Sequence, residues 1–262
     1  MRLQVDGKAA FAGTGSVAHA PGRRAAVFVH GAGMDHSVWV MPARHFARTG
    51  LNVLALDLPG HGRSQGPGLD SIAAMADWVV RTMDAAHLEA AAVVGHSMGS
   101  LIAYALAARH SDRCRALALL GASAPMPVTD ALLDAAYDNH HAAIDMANAW
   151  SHSPRAKLGA CPNPGMWMLG GGERLLEAAA PDVFHADLAA CNGFDPEADA
   201  GPIRCPALVV VGEADQMTPA QAGIRVSERL QDARLERLAG CGHAMLSEQP
   251  NAVLDALTAI VR

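Results

Sequence analysis

Residues Ala90 to Ala108 contain no Asp, Glu, Lys or Arg, and Gly95-His96-Ser97-Met98-Gly99-Ser100 stands in their middle. A charge-free run of nineteen residues is long enough to cross a bilayer as a helix. Two glycines around a polar pair break such a helix. The four residues before them, Ala91-Ala92-Val93-Val94, suit a short strand buried on both faces, and Met98–Arg109 suits a helix that opens at the turn. Strand, tight turn and buried helix form the repeating unit of a parallel α/β sheet. This segment therefore excludes an all-helical or all-β chain.

The rest of the chain repeats the unit. Strands are expected at Ala25–Val29, Asn52–Leu56, Ala91–Gly95, Ala116–Leu120, Ala207–Val211 and Arg234–Leu238. Helices are expected at Ser37–Arg48, Ser71–His87, Met98–Arg109, Pro219–Leu230 and Glu248–Val261, and a short hairpin turns at Asp6-Gly7. Between about Pro125 and Pro202 the strands stop, and helical stretches broken by Pro and Gly replace them. The expected architecture is a mostly parallel central sheet with helices on both faces, built from residues 1–124 and 203–262. Residues 125–202 form an inserted helical cap. Right-handed crossovers put all strand C-termini at one edge, where ligands bind in open α/β sheets.

Composition sets the outer limits. The chain has 262 residues, 51% of them hydrophobic, so its core needs no metal or disulfide to hold it. A net charge of −6 with 18% charged residues argues against a nucleic-acid partner. The start, Met1-Arg2-Leu3-Gln4-Val5-Asp6-Gly7-Lys8, carries charges where a signal peptide needs an apolar stretch, so none is expected, nor a membrane partner. Five cysteines with no C-x-x-C spacing suit reduced thiols and a cytoplasmic location.

Gly95-His96-Ser97-Met98-Gly99 is a G-x-S-x-G pentapeptide between a strand and a helix. There a serine hydroxyl stands on a sharp turn, and the two glycines let strand and helix approach. A serine near neutral pH needs a base, and in this arrangement the acid and then the histidine follow it in sequence. Asp215 follows the strand Ala207–Val211, and His243 follows Arg234–Leu238. Both fall at the same sheet edge as Ser97. Glu213 is the competing acid, equally suited to a solvated loop, and Asp215 is preferred. Acyl transfer also needs N–H donors for a developing oxyanion. The backbone of Met98 and that of Ala32, in His30-Gly31-Ala32-Gly33, fill that role. His96 is expected to pack behind the nucleophile and His61 to be structural. His140-His141 and His185-Ala186-Asp187 are expected to be solvated or capping, since neither carries a metal-site spacing.

These pieces resemble the α/β-hydrolase superfamily. The matching residues are His30-Gly31-Ala32-Gly33 with Trp39, Asp57-Leu58-Pro59-Gly60-His61-Gly62-Arg63-Ser64, Gly95–Gly99, Gly212-x-x-Asp215, and Gly242-His243 followed by Glu248-Gln249-Pro250. They occur in the family's order. The resemblance implies a serine hydrolase with no cofactor or metal, acting on an ester-like bond of a small-molecule substrate. Ser97 in place of Asp excludes epoxide hydrolases and haloalkane dehalogenases, and in place of Cys excludes dienelactone hydrolases. Ser100, where carbon–carbon hydrolases often carry a second Gly, weakens that branch. A lyase or a non-catalytic receptor on the same scaffold are the other readings.

Large soft side chains are scarce in this Ala-rich chain and concentrate in two places. Trp150, Met166 and Trp167 fall in the expected cap, and Met34, Met217 and Met245 follow Ala32, Asp215 and His243. All six are expected to line an apolar substrate pocket.

Overall fold

The computed structural model describes residues 1–159, 162, 167–198 and 201–262. Eight strands form one sheet in the order β1-β2-β4-β3-β5-β6-β7-β8. β1 (Arg2–Val5) and β2 (Lys8–Gly13) are the hairpin, and β2 runs antiparallel to β4 (Asn52–Asp57). β3 (Ala25–Val29), β4, β5 (Ala91–His96), β6 (Cys114–Leu120), β7 (Ala207–Gly212) and β8 (Ala233–Leu238) are mutually parallel. Their C-terminal ends all open at one edge.

Strand residues alternate between two cores, as the pleat requires. Val27, Leu54, Val93, Leu117 and Val209 face α2 (Ile72–Ala85), α3 (Met98–Arg109) and α9 (Ala220–Arg229). Phe28, Val53, Val94, Ala118 and Val210 face α1 (Val40–Arg48) and α11 (Pro250–Val261). Burial on both faces explains why these strands read as unbroken apolar runs. β8 is the edge strand, and its outward Arg234 and Glu236 pair at 3.2 Å. Such charges discourage pairing with another chain's edge.

Two expected helices are divided. Ser37–Arg48 opens as a 3-10 turn, His36–Trp39, capped by the Asp35 carboxylate on the Ser37 N–H at 2.7 Å, before α1 begins. The last helix splits into α10 (Met245–Glu248) and α11, because Pro250 has no N–H and forces Gln249 out of the helical region, to φ −136°.

Between β6 and β7 the described residues form helices and no strand. They are α4 (Asp130–Tyr137), α5 (Ala142–Ser151), α6 (Pro154–Lys157), α7 (Met168–Glu177) and α8 (Val183–Asn192). Leu132, Ala136, Ala143 and Leu188 give this segment a small core of its own. Cys114 and Cys205, far apart in sequence, lie with their sulfurs 3.7 Å apart as free thiols. Among the described residues no helix is long and apolar enough to cross a membrane.

Candidate active site

The turn at Ser97 is strained. Its φ of +56° and ψ of −123° lie outside the regions open to an ordinary side chain. Both flanking glycines are required. A Cβ on Gly95 would collide with the Gly99 carbonyl, and one on Gly99 with the carbonyls of Val29 and His30. The turn is held by the Ser97 N–H on Leu120 O at 2.9 Å, and by the Ser100 hydroxyl on Ser97 O at 2.6 Å. Met98 opens α3, so its N–H has no partner within the helix. Its side chain packs in the core beneath and not toward the edge.

His243 stands between β8 and α10. Its Nδ1–H donates to Asp215 Oδ2 at 2.8 Å. That bond leaves Nε2 as the acceptor nitrogen, and this atom is buried without a partner among the described residues. Asp215 sits after β7 and also accepts from the backbone N–H groups of Met217 and Thr218, at 2.9 and 2.8 Å, and from the Thr218 hydroxyl at 2.8 Å. Burial alone raises a carboxyl's pKa. Here the neighbouring His243 and these donors outweigh it and hold Asp215 below its ordinary value of 3.8. Glu213 instead faces solvent and pairs with Arg237 at 2.9 Å.

Behind His243 lies His96, whose Nε2–H donates to the His243 carbonyl at 2.8 Å. Burial, then the proximity of His243, push its pKa down to about 3, so it stays neutral and anchors the His243 backbone. On the other flank Glu248 accepts from the N–H groups of Gly242 and Ser153, both at 3.1 Å. The loop after β3 turns tightly, with the Met34 N–H on Gly31 O at 3.2 Å and Gly33 at φ +67°. A glycine is favoured at such a position.

Ser97, His243 and Ala32 line one cavity of about 140 Å³, with Met34, Trp150 and Met217. Phe184, Leu176, Leu188 and Cys191 of the helical segment close it over the sheet edge.

Comparison with known proteins places this geometry. Residues 26–256 match the model of the alpha/beta hydrolase family. The chain belongs to the α/β hydrolases. It is similar to a pimeloyl-[acyl-carrier protein] methyl ester esterase of Chromobacterium violaceum, 34% identical and covering 83% of this chain and 86% of that one. It is also similar to a 2-hydroxymuconate semialdehyde hydrolase of Pseudomonas sp. (strain CF600), 29% identical, covering 83% and 79%. The enol-lactonase of Burkholderia xenovorans LB400 shares the fold, with a TM-score of 0.86 at 22% identity over 99% of this chain and 98% of that one. The protein is thus an enzyme of the hydrolase class.

Three of the six residues expected to form the hydrolase's pocket stand elsewhere or are not described. Met245 is fully buried against the α1–α11 face, because the turn after His243 aims it inward. Trp167 is 71% exposed and borders a second cavity of about 280 Å³, which shares Met34, Ser151 and Leu176 with the first. Met166 lies outside the described residues.

Asp187 overturns its expected place as a solvated or capping residue. It is 1% exposed and accepts from two parts of the hydrolase core. Thr218 was missed as well, although Asp215-x-x-Thr218 before Pro219 is the spacing of a side chain capping a turn. His140 and His141 do sit exposed at the start of α5. His141 gathers near Glu173 and Glu177, but Arg174 occupies both carboxylates. A second group, Asp35, His36 and Asp57, is closed by the His36 bonds to Asp57 Oδ1 at 2.8 Å.

Proposed function

We propose that this hydrolase cleaves an ester-like bond, that is a carboxylester, lactone or thioester, of a small and largely apolar substrate through an acyl-enzyme on Ser97. The observation that carries the reading is the convergence of Ser97 and an Asp215-oriented His243 on one apolar cavity beside two candidate oxyanion donors. The names of the methyl ester esterase and enol-lactonase relatives support the same bond class.

In this mechanism Nε2 of His243 takes the Ser97 proton as Oγ attacks the carbonyl carbon. Asp215 holds the tautomer and stabilises the imidazolium. The N–H groups of Met98 and Ala32 receive the oxyanion, and the positive end of α3 adds to them. His243 then gives its proton to the leaving group, and water repeats the sequence to release the acid. The helical segment between β6 and β7 acts as a cap whose side chains choose the acyl group. Met34, Trp150 and Met217 belong to that apolar wall.

A panel of 4-nitrophenyl esters of increasing acyl length tests this, with Ser97→Ala, His243→Ala and Asp215→Asn measured beside the wild type. Loss of Ser97 and of His243 should cost about equally, since the members act as a unit. Asp215→Asn should cost roughly 10⁴-fold in kcat. Mass spectrometry should find an acyl group on Ser97. Turnover that survives Ser97→Ala sinks the reading. Turnover without any acyl adduct favours a carbon–carbon hydrolase or lyase with His243 as proton shuttle, and a Ser97 inert to a fluorophosphonate probe favours a ligand receptor.

A further inference from the structure

The cap touches the two loops that the proposed chemistry depends on, and it does so with polar bonds. At the histidine loop, the Ala244 N–H donates to Ser151 O at 2.8 Å. At the oxyanion loop the contact is Asp187 of α8. Its Oδ2 accepts the Gly33 N–H at 2.8 Å and the His61 Nε2–H at 2.8 Å. Both partners lie in the core, and Asp187 and His61 are each about 1% exposed at the side chain. Phe184 and Leu176 close over the same turn so tightly that a Cβ on Gly33 would meet either at 2.9 Å.

The charge state of the pair follows from its partners. His61 Nδ1 lies 3.1 Å from Pro59 O, and Nε2 lies 2.8 Å from the Asp187 carboxylate. Neither acceptor can donate, so both ring nitrogens carry hydrogen and the ring is an imidazolium. The groups around it agree. Asp187 faces it from α8, with Cys191 one turn further along, and Asp57 approaches from β4. His30 packs against it with ring centres 4.7 Å apart and is kept neutral, its pKa pushed to about 3 by burial and then by His61. Two buried charges left unpaired are costly, so a displaced Asp187 would strand His61.

We propose that Asp187 is a positioning residue, a cap-borne latch that holds the Gly31–Gly33 turn in the form that aims the Ala32 N–H at the oxyanion, so that docking of the cap completes the oxyanion hole. This rests on the reading of Ala32 as an oxyanion donor. The latch is expected to act on the transition state and not on the ground state, because Asp187 bonds the loop and does not line the cavity. It also has a pH dependence. Burial lowers the His61 pKa, but the Asp187 bond and charge outweigh it and set it above its ordinary 6.5. The latch is therefore fully intact below the ordinary value of 6.5 and weakens as pH rises through the raised one.

Asp187→Asn keeps the shape and removes the charge, and it is the variant to measure, with His61→Gln as the second should the first fail to fold. Three quantities are compared with wild type: kcat and KM on a short-chain ester, affinity for a trifluoromethyl ketone that forms an oxyanion on Ser97, and affinity for the matching secondary alcohol that does not. A latch predicts that kcat falls roughly 10- to 100-fold, a part of the loss seen when an oxyanion donor is removed outright. KM and alcohol binding should move less than threefold, and ketone binding should weaken in step with kcat/KM. The wild type should show an alkaline fall of kcat, and that fall should flatten in His61→Gln. Equal weakening of ketone and alcohol, or an unchanged kcat in a folded variant, overturns the latch. A wild type that does not bind the ketone at all overturns the oxyanion reading, and the latch with it.

Discussion

The Thr218 hydroxyl lies 2.8 Å from Asp215 Oδ2 and 3.1 Å from His243 Nδ1. It donates to the carboxylate and so fixes which face of Asp215 meets the imidazole. A hydrogen bond to a charged group is worth about 1.5–3 kcal/mol net. Thr218→Val, which keeps the shape, is therefore expected to lower kcat about tenfold, beside a fall of roughly a few degrees in melting temperature for the lost bond. Steady-state kinetics and thermal unfolding of the one variant check both halves. Equal loss of stability and activity would show Thr218 only packing the loop.

At the scale of elements, the elbow between β5 and α3 stands on two positions with no room for a side chain. Gly99→Ala is expected to cost about 1–3 kcal/mol or more in denaturant unfolding, because the Val29 and His30 carbonyls, at the end of β3 and just after it, are buried backbone and cannot give way. The same rigidity explains why this unit was legible in sequence. Strands buried on both faces read as apolar runs, and Met98–Arg109 was bounded to the residue by its glycine turn. What escaped had no local signature. Asp187 meets partners 154 and 126 residues away, and nothing in His185-Ala186-Asp187 announces them. Met245 and Trp167 misled for the opposite reason, since nearness in sequence to a candidate catalytic or cap residue does not set a side chain's direction. The Gln249-Pro250 break was present in the sequence as a helix-stop signal, but the periodicity on both sides of it spans the gap.

Over the whole molecule, several buried carboxylates tie loops together, and among the described residues Asp57 is the most connected of them after Asp215. It accepts from the His36 N–H, the His36 ring and the Arg63 N–H at 2.8, 2.8 and 2.9 Å. Burial raises its pKa, but these donors outweigh it and hold it below 3.8. A carboxyl with a depressed folded value stabilises the fold fully above its unfolded pKa, and that contribution is lost as pH falls through the folded one. Acid unfolding should therefore be steep below about pH 4. Asp57→Asn should lower the melting temperature at neutral pH and flatten its fall toward pH 2. A variant with the wild-type slope would move the acid sensitivity to other carboxylates.

Because β6 and β7 are parallel neighbours, the chain leaves β6 at the cavity edge and has to re-enter β7 from the opposite edge. The helical segment is thus an enlarged form of the ordinary crossover between adjacent strands. Its return is fastened along α3, where Phe194 packs edge-on against Tyr104 with ring centres 6.4 Å apart. Helices can be added or exchanged upstream of that fastening without rethreading the sheet, provided that the contacts of Ser151 with Ala244 and of Asp187 with Gly33 and His61 are kept. On the proposed reading of the segment as a cap and of Ser97, Asp215 and His243 as the reacting groups, this architecture lets recognition change largely apart from the chemistry, within the limits that those shared contacts set.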